Sequence, residues 1–136
     1  IKVHLYGTFH GTRAALRHMT PAKRGSIVNV SSVLGLRPMP GALHYATAKA
    51  GIIALTKSVG QEVAPHGIRV NAVCPGWVNT PLLDVLDPMM LAGLVMQIPA
   101  GRMAKAEELA ELVRFLAGPE SSYCNGDVFA ASGGFV

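Results

Sequence analysis

Charge and aromatic rings are both scarce in this chain: 15% of its 136 residues are Asp, Glu, Lys or Arg, and 6% are Phe, Trp or Tyr. Segments that stay disordered need high charge and little hydrophobicity. Here half the residues are hydrophobic and mean hydropathy is +0.35, so one domain with a buried core is expected. Cysteine is rare. Cys74 and Cys124 lie far apart without histidines at metal-ligand spacing, which excludes a zinc site and predicts two reduced packing residues. Reduced cysteines suit a cytoplasmic protein. No apolar run reaches the roughly 18 residues of a membrane span, so the expectation is a soluble chain with no membrane partner. Acidic residues are outnumbered 8 to 12 by Lys and Arg, and Arg13, Arg17, His18, Lys23 and Arg24 cluster. No aromatic residues alternate with these cations, as a nucleic-acid stacking platform requires, so they read as a solvated helix end rather than a nucleic-acid surface.

What is present is apolar periodicity broken by proline and glycine. Val3, Leu5, Tyr6, Phe9, Ala14, Leu16 and Met19 give a first helix a broad apolar face, and Thr20-Pro21-Ala22-Lys23-Arg24-Gly25 supplies its breakers. Because the sequence opens inside an element, on Ile1 rather than Met, it is expected to be a piece of a longer protein. Ser26 to Val30 reads as a strand, Gly35 to Gly41 as a loop, and His44 to Val63 as a helix stopped by Pro65 and Gly67. The run from Ile68 to Cys74 predicts a strand buried on both faces. Strand, helix and strand in that order make a βαβ unit on a parallel sheet.

Beyond Pro75-Gly76, the segment from residue 81 to 98 (Leu82, Leu83, Leu86, Met89, Met90, Leu94, Met96, Ile98) allows two readings. It is either a packed helical pair or a flap over an apolar substrate, since methionine adapts to varied shapes. Ala106 to Ala117 predicts a helix, with Glu107 and Glu108 early and Arg114 late. Asp127 to Ala131 predicts a short third strand. The fold class expected is therefore α/β, with about three parallel strands and flanking helices.

Three side chains carry chemistry. Tyr45 and Lys49 stand four apart, which places a phenol and an ammonium on one helix face. Ser32 follows the first strand, at the carboxyl edge where open α/β sheets hold ligands, and the Gly/Pro loop is long enough to return the Tyr45 helix to it. A bare Tyr-x-x-x-Lys pair is common by chance; in this context it points to proton transfer beside a hydroxyl.

With these residues the chain resembles the short-chain dehydrogenase/reductase family nearly from end to end. Val3 to Phe9 is similar to the helix ahead of the catalytic strand, Gly25 to Gly35 to that strand and its serine, Tyr45 to Lys49 to the active-site pair, and Ile68 to Gly76 with Thr80 to the cofactor-contacting strand and turn. Gly101-Arg102, Glu107-Glu108 and Phe115-Leu116-Ala117 resemble the C-terminal helix region. The resemblance implies hydride exchange between NAD or NADP and a small-molecule alcohol or carbonyl. Tyr45 would be the general acid/base, Lys49 would support it and hold the nicotinamide ribose, and Ser32 would orient the substrate oxygen. Pro75, Gly76, Val78 and Thr80 would line the nicotinamide, and Asn71 would be structural. It also implies a homodimer or homotetramer.

His4 stands where most of the family carries a catalytic asparagine, as it does in the hydroxyacyl-CoA dehydrogenase part of peroxisomal multifunctional enzymes; it could still hold a proton-relay water. Asn125-Gly126 and Ala131-Ser132-Gly133-Gly134 replace the more usual Thr-Gly and Asp-Gly-Gly. No glycine-rich Gly-x-x-x-Gly-x-Gly turn is present. Residues 1–136 are therefore expected to be the C-terminal half of a Rossmann-like domain whose N-terminal dinucleotide-binding half is absent, and to be inactive alone. The alternative is a truncated, non-catalytic fragment acting only through subunit association, with Ala48, Ile52, Leu55 and Val59 offering the apolar surface.

Overall fold

In the computed structural model, residues 1–83 and 85–136 are described, apart from the side chain of Leu82. A π-helical turn, Lys2–Tyr6, leads into α1 (Gly7–Ala22). Then come β1 (Gly25–Val30), α2 (Leu43–Val63), β2 (Ile68–Pro75), α3 (Pro88–Met96), α4 (Ala106–Ala117) and β3 (Val128–Ala131). The three strands form one parallel sheet in the order β1-β2-β3.

The apolar run of β2 makes it the central strand. Ile68, Val70, Ala72 and Cys74 are fully buried. Gly25 pairs with Ile68 and Val30 with Val73 on one side, while Ala72 pairs with Val128 and Pro75 with Ala131 on the other. Ile68 and Val70 pack with Val63, Val59, Leu16 and Met19 from α2 and α1. Side chains alternate along a strand, so Arg69 points the other way. Its guanidinium donates to the carbonyls of Leu116 and Gly118 at 3.0 and 2.9 Å, and to Ser121 Oγ at 2.7 Å. These bonds satisfy carbonyls that the end of α4 leaves free, and Ser26 Oγ adds another at 2.8 Å.

The polar residues of the core act as ties, as expected for Asn71. Fully buried, it donates through Nδ2 to the Cys124 carbonyl at 2.8 Å and accepts through Oδ1 from the Asp127 N–H at 3.0 Å. Asn125 Oδ1 accepts from the Val70 N–H at 2.8 Å. Through these two amides the turn before β3 is fastened to β2. Both cysteines are free, Cys74 buried and Cys124 half-buried. Among the described residues no cluster of three or more His, Cys, Asp or Glu could hold a metal, and no helix is long and apolar enough to cross a membrane.

Three sequence expectations differ from the structure. The first helix runs through Pro21 and ends at Lys23, whose φ of 50° is left-handed; proline at the last turn removes one N–H without stopping a helix about to end. Of the two readings for residues 81 to 98, a packed helical pair is not formed among the described residues: α3 has no buried residue, and Met89 and Met96 are 84% and 87% exposed. Ile98 after it is buried. Finally, Ala48 and Ile52 face the interior and offer no surface to a partner. The unpartnered apolar surface lies on the first helical segment, where Val3, Tyr6 and Phe9 are exposed, and in a 180 Å³ groove between Phe9, Leu16, Leu55 and Val59.

Two measurements check these ties. Asn71→Ala leaves the Cys124 carbonyl and the Asp127 N–H without partners and should cost about 3 kcal/mol in urea denaturation. Glu108, which accepts from Arg102 and from the Lys105 N–H at 2.8 Å each, is held down to about 2, first by the Arg102 hydrogen bonds and then by the Lys105 N–H. An unfolded glutamate titrates near 4.3. The stabilisation from this carboxylate is therefore complete above that value and is lost as pH falls toward 2. In Arg102→Gln, carboxyl NMR should find Glu108 titrating back toward the ordinary range, with acid unfolding beginning at higher pH.

Candidate active site

The site grows from the carboxyl end of β1. Ser31 extends the ladder by one bond, its N–H donating to the Val73 carbonyl at 2.8 Å. Ser32 is extended, with φ −165° and ψ 155°, and its hydroxyl accepts from the Leu34 N–H at 3.1 Å, starting the short helical turn Val33–Gly35. The chain then returns through the proline-rich loop into α2, which brings Tyr45 opposite Ser32. Both line a cavity of 280 Å³ with Gly76, Trp77, Val78 and Thr80 from the segment after β2, and with Val33, Leu34 and Leu83.

Behind Tyr45 lies Lys49. Its ammonium is 5.5 Å from the centre of the Tyr45 ring, within range for attraction between a cation and an aromatic face. Its Nζ donates to the Val30 carbonyl at 2.9 Å. The His4 ring meets the Tyr45 ring edge-on, with centroids 5.5 Å apart. His4 and Lys49 line a second, open groove of 420 Å³ with Asn29 and Val30. Tyr45 thus stands between an apolar cavity holding the serine and a groove holding the cation.

Burial pushes the Lys49 ammonium below its ordinary range, against an opposing influence from Cys74. Burial pushes the Cys74 thiol up, opposed by hydrogen bonding with Ser31 and Ser32 and by the Lys49 charge. A lysine has three donors, and with one on Val30 the others are available to a hydroxyl-bearing ligand in the groove. The largely apolar lining of the cavity suits an aromatic ring. These two features fit the nicotinamide-ribose end of a dinucleotide. No glycine-rich turn occurs in the sequence to cradle a pyrophosphate.

The segment from Gly76 to Thr80 is fixed by backbone. The Gly76 N–H donates to the Ala131 carbonyl at 2.9 Å, and a Cβ on Gly76 would lie 2.9 Å from Ser132 Cα, so only glycine fits. Val78 forms a parallel bridge with Ala104. The Ala104 N–H donates to Trp77 O and its carbonyl accepts from the Asn79 N–H, both at 2.9 Å.

Of the residues singled out in the sequence, Ser32, Tyr45, Gly76, Val78 and Thr80 meet at one cavity, and Lys49 and His4 at the adjoining groove. Pro75 is not among the lining residues of either; it closes β2, paired in register with Ala131. Sequence reasoning passed over Trp77, whose Nε1 is buried without a partner among the described residues, and Ser31, whose hydroxyl donates to the Lys49 carbonyl at 2.8 Å. The doubled serine was the one available signal for the latter.

An open parallel sheet with a crossover helix and a polar cluster at its carboxyl edge places the chain in the Rossmann-like α/β class. A family model described as enoyl-(acyl carrier protein) reductase matches residues 1–136. The 3-oxoacyl-[acyl-carrier-protein] reductase FabG of Thermotoga maritima is 44% identical over 136 residues, 100% of this chain and 55% of that protein. Its counterpart from Aquifex aeolicus is 42% identical over 134 residues, 98% of this chain and 54% of that protein. The crystal structure of the TT0495 protein from Thermus thermophilus superposes with a TM-score of 0.93 at 35% identity, covering 98% of this chain and 58% of that one. The chain belongs to the short-chain dehydrogenase/reductase family of NAD(P)-dependent oxidoreductases. It spans about half the length of the curated relatives it matches, 55% for the Thermotoga protein.

The Lys49 shift has a testable sign. An unfolded lysine titrates near 10.4 and the folded one lower, so the cost of burying the charge is fully present below the folded value. It is relieved as pH rises between the two values. Lysine 13Cε NMR should show Lys49 losing its proton below the ordinary lysine range, with stability rising with pH across that window.

Proposed function

We propose that this chain is the substrate-side half of an NAD(P)-dependent reductase that interconverts an alcohol and a carbonyl by hydride transfer, with Tyr45 as general acid/base. The observation that carries the reading is the position of Tyr45, between Ser32 in the cavity and Lys49 in the groove. The cofactor supplies or accepts the hydride when bound. Ser32 donates a hydrogen bond to the substrate oxygen and fixes its direction. Tyr45 passes its proton to that oxygen in reduction and takes it back in oxidation. The Lys49 ammonium stabilises charge as it develops on the phenol oxygen, and its free donors hold the nicotinamide ribose.

Gly76, Val78 and Thr80 would flank the nicotinamide, Pro75 sets the strand end from which they start, and His4 would carry the proton relay on the Lys49 side. The names of the relatives direct the substrate toward a 3-oxoacyl thioester. An apolar cavity lined by Val33, Leu34, Val78 and Leu83 suits an acyl chain. The complete enzyme is a homodimer or homotetramer, and its pyrophosphate site lies on chain outside these residues.

A second reading, a non-catalytic piece acting by association, is favoured by the exposed apolar Val3, Tyr6 and Phe9. Size-exclusion chromatography and dinucleotide titration of residues 1–136 separate the two, with stable dimers lacking dinucleotide affinity supporting the second.

In the complete protein, Tyr45→Phe should lower kcat by about 10²–10⁴-fold while thermal unfolding stays unchanged. Retention of most NAD(P)H-dependent reduction would remove Tyr45 from the mechanism. Residues 1–136 alone should give no turnover.

A further inference from the structure

The strand end holds Lys49 at both of its ends. The side chain donates to the Val30 carbonyl at 2.9 Å, and the next residue, Ser31, donates through Oγ to the Lys49 backbone carbonyl at 2.8 Å. Ser31 is 3% exposed, and its own N–H is bound to Val73, so this hydroxyl is referenced to the central strand. A second contact closes on the same peptide. A Cβ on Gly35 would lie 2.8 Å from Lys49 C and 3.0 Å from Ala50 N, so the loop after Ser32 packs flat against it.

The Lys49 carbonyl already lies within α2, where it accepts from the helix ladder. A further neutral donor adds only about 1 kcal/mol, a small gain for a fully buried hydroxyl. Its larger effect is geometric. Removing it takes away one of the two hydrogen bonds that tie Lys49 to the strand end.

We propose that Ser31 is a positioning residue that sets the depth of the Lys49 ammonium beside Tyr45, acting through the Lys49 backbone and not through substrate or cofactor. This rests on the proton-transfer reading of Tyr45 and Lys49 given above. The titratable groups facing the ammonium are Tyr45 on its own helix, Cys74 on β2 and His4 on the opening turn. Of these, Cys74 hydrogen-bonds with Ser31; Ser31→Thr keeps that hydroxyl, and losing the bond raises the thiol and so works against the upward Lys49 shift expected of Ser31→Ala.

The test uses Ser31→Ala, with Ser31→Thr as the variant that keeps the hydroxyl. Lysine 13Cε NMR of the cofactor-free protein should show the Lys49 titration moving up in Ser31→Ala, as the ammonium gains water, and remaining at the wild-type position in Ser31→Thr. In the complete enzyme, kcat should fall roughly 10- to 100-fold in Ser31→Ala, as small misplacements of catalytic groups do. KM for the carbonyl substrate should be unchanged and the pH–rate profile displaced. Should Ser31→Ala fail to fold, Gly35→Ala presses on the same peptide from the other side and should displace the Lys49 titration while Ser31 is intact. A wild-type Lys49 titration in a folded Ser31→Ala protein overturns the proposal. Retained turnover in Tyr45→Phe would instead overturn the proton-transfer reading, leaving the NMR result to decide whether Ser31 sets the ammonium.

Discussion

A strand paired on both edges and covered on both faces tolerates no unsatisfied polar atom, and β2 is such a strand for part of its length. Its two polar side chains, Arg69 and Asn71, are therefore joints. One closes the carbonyl end of α4 and the other fastens the turn that leads into β3. With these bonds made, the carboxyl ends of β1 and β2 have fixed places. The segment from Gly76 to Thr80 then rests on the Ala131 and Ala104 backbones.

The same frame explains how a cation is kept at the edge of an apolar interior. Burial disfavours the Lys49 ammonium against the opposing influence of Cys74, and its hydrogen bond goes to a backbone carbonyl at the end of the strand. Among the described residues no carboxylate is paired with it; the ion pairs found there, Arg102–Glu108 and Arg114–Glu111, lie on the surface around α4. A carbonyl partner leaves the site with net positive charge, which an acid partner would have cancelled.

Much of the fold was legible because its signals are local. The apolar run of β2, the stripe of α4 and the breakers at Pro65 and Gly67 each specify one element, and the boundaries of α4 match. Misreadings came where pattern is silent about orientation. α2 is apolar nearly all round, so its periodicity could not say that Ala48 and Ile52 turn inward while Leu55 and Val59 border a groove. The methionines of α3 have the composition of a core and lie in solvent, because hydrophobicity records what a residue could bury and not whether a surface is there to meet it. Tyr45, Lys49 and Ser32 were legible as a group through their spacing. Ser31 was not, since its role depends on a register between strands far apart in sequence.

That register carries a consequence about parity. Val30 stands opposite Val73, and from there the count along the extended chain runs inward for Ser31 and outward for Ser32. The two residues are chemically identical, so nothing in either side chain assigns its task. A one-residue slip of β1 would put one serine in the other's place and a valine, Val30 or Val33, in the place it left. The difference between the serine that faces the cavity and the serine that steadies α2 is an odd or even number, kept by the pairing of two valines.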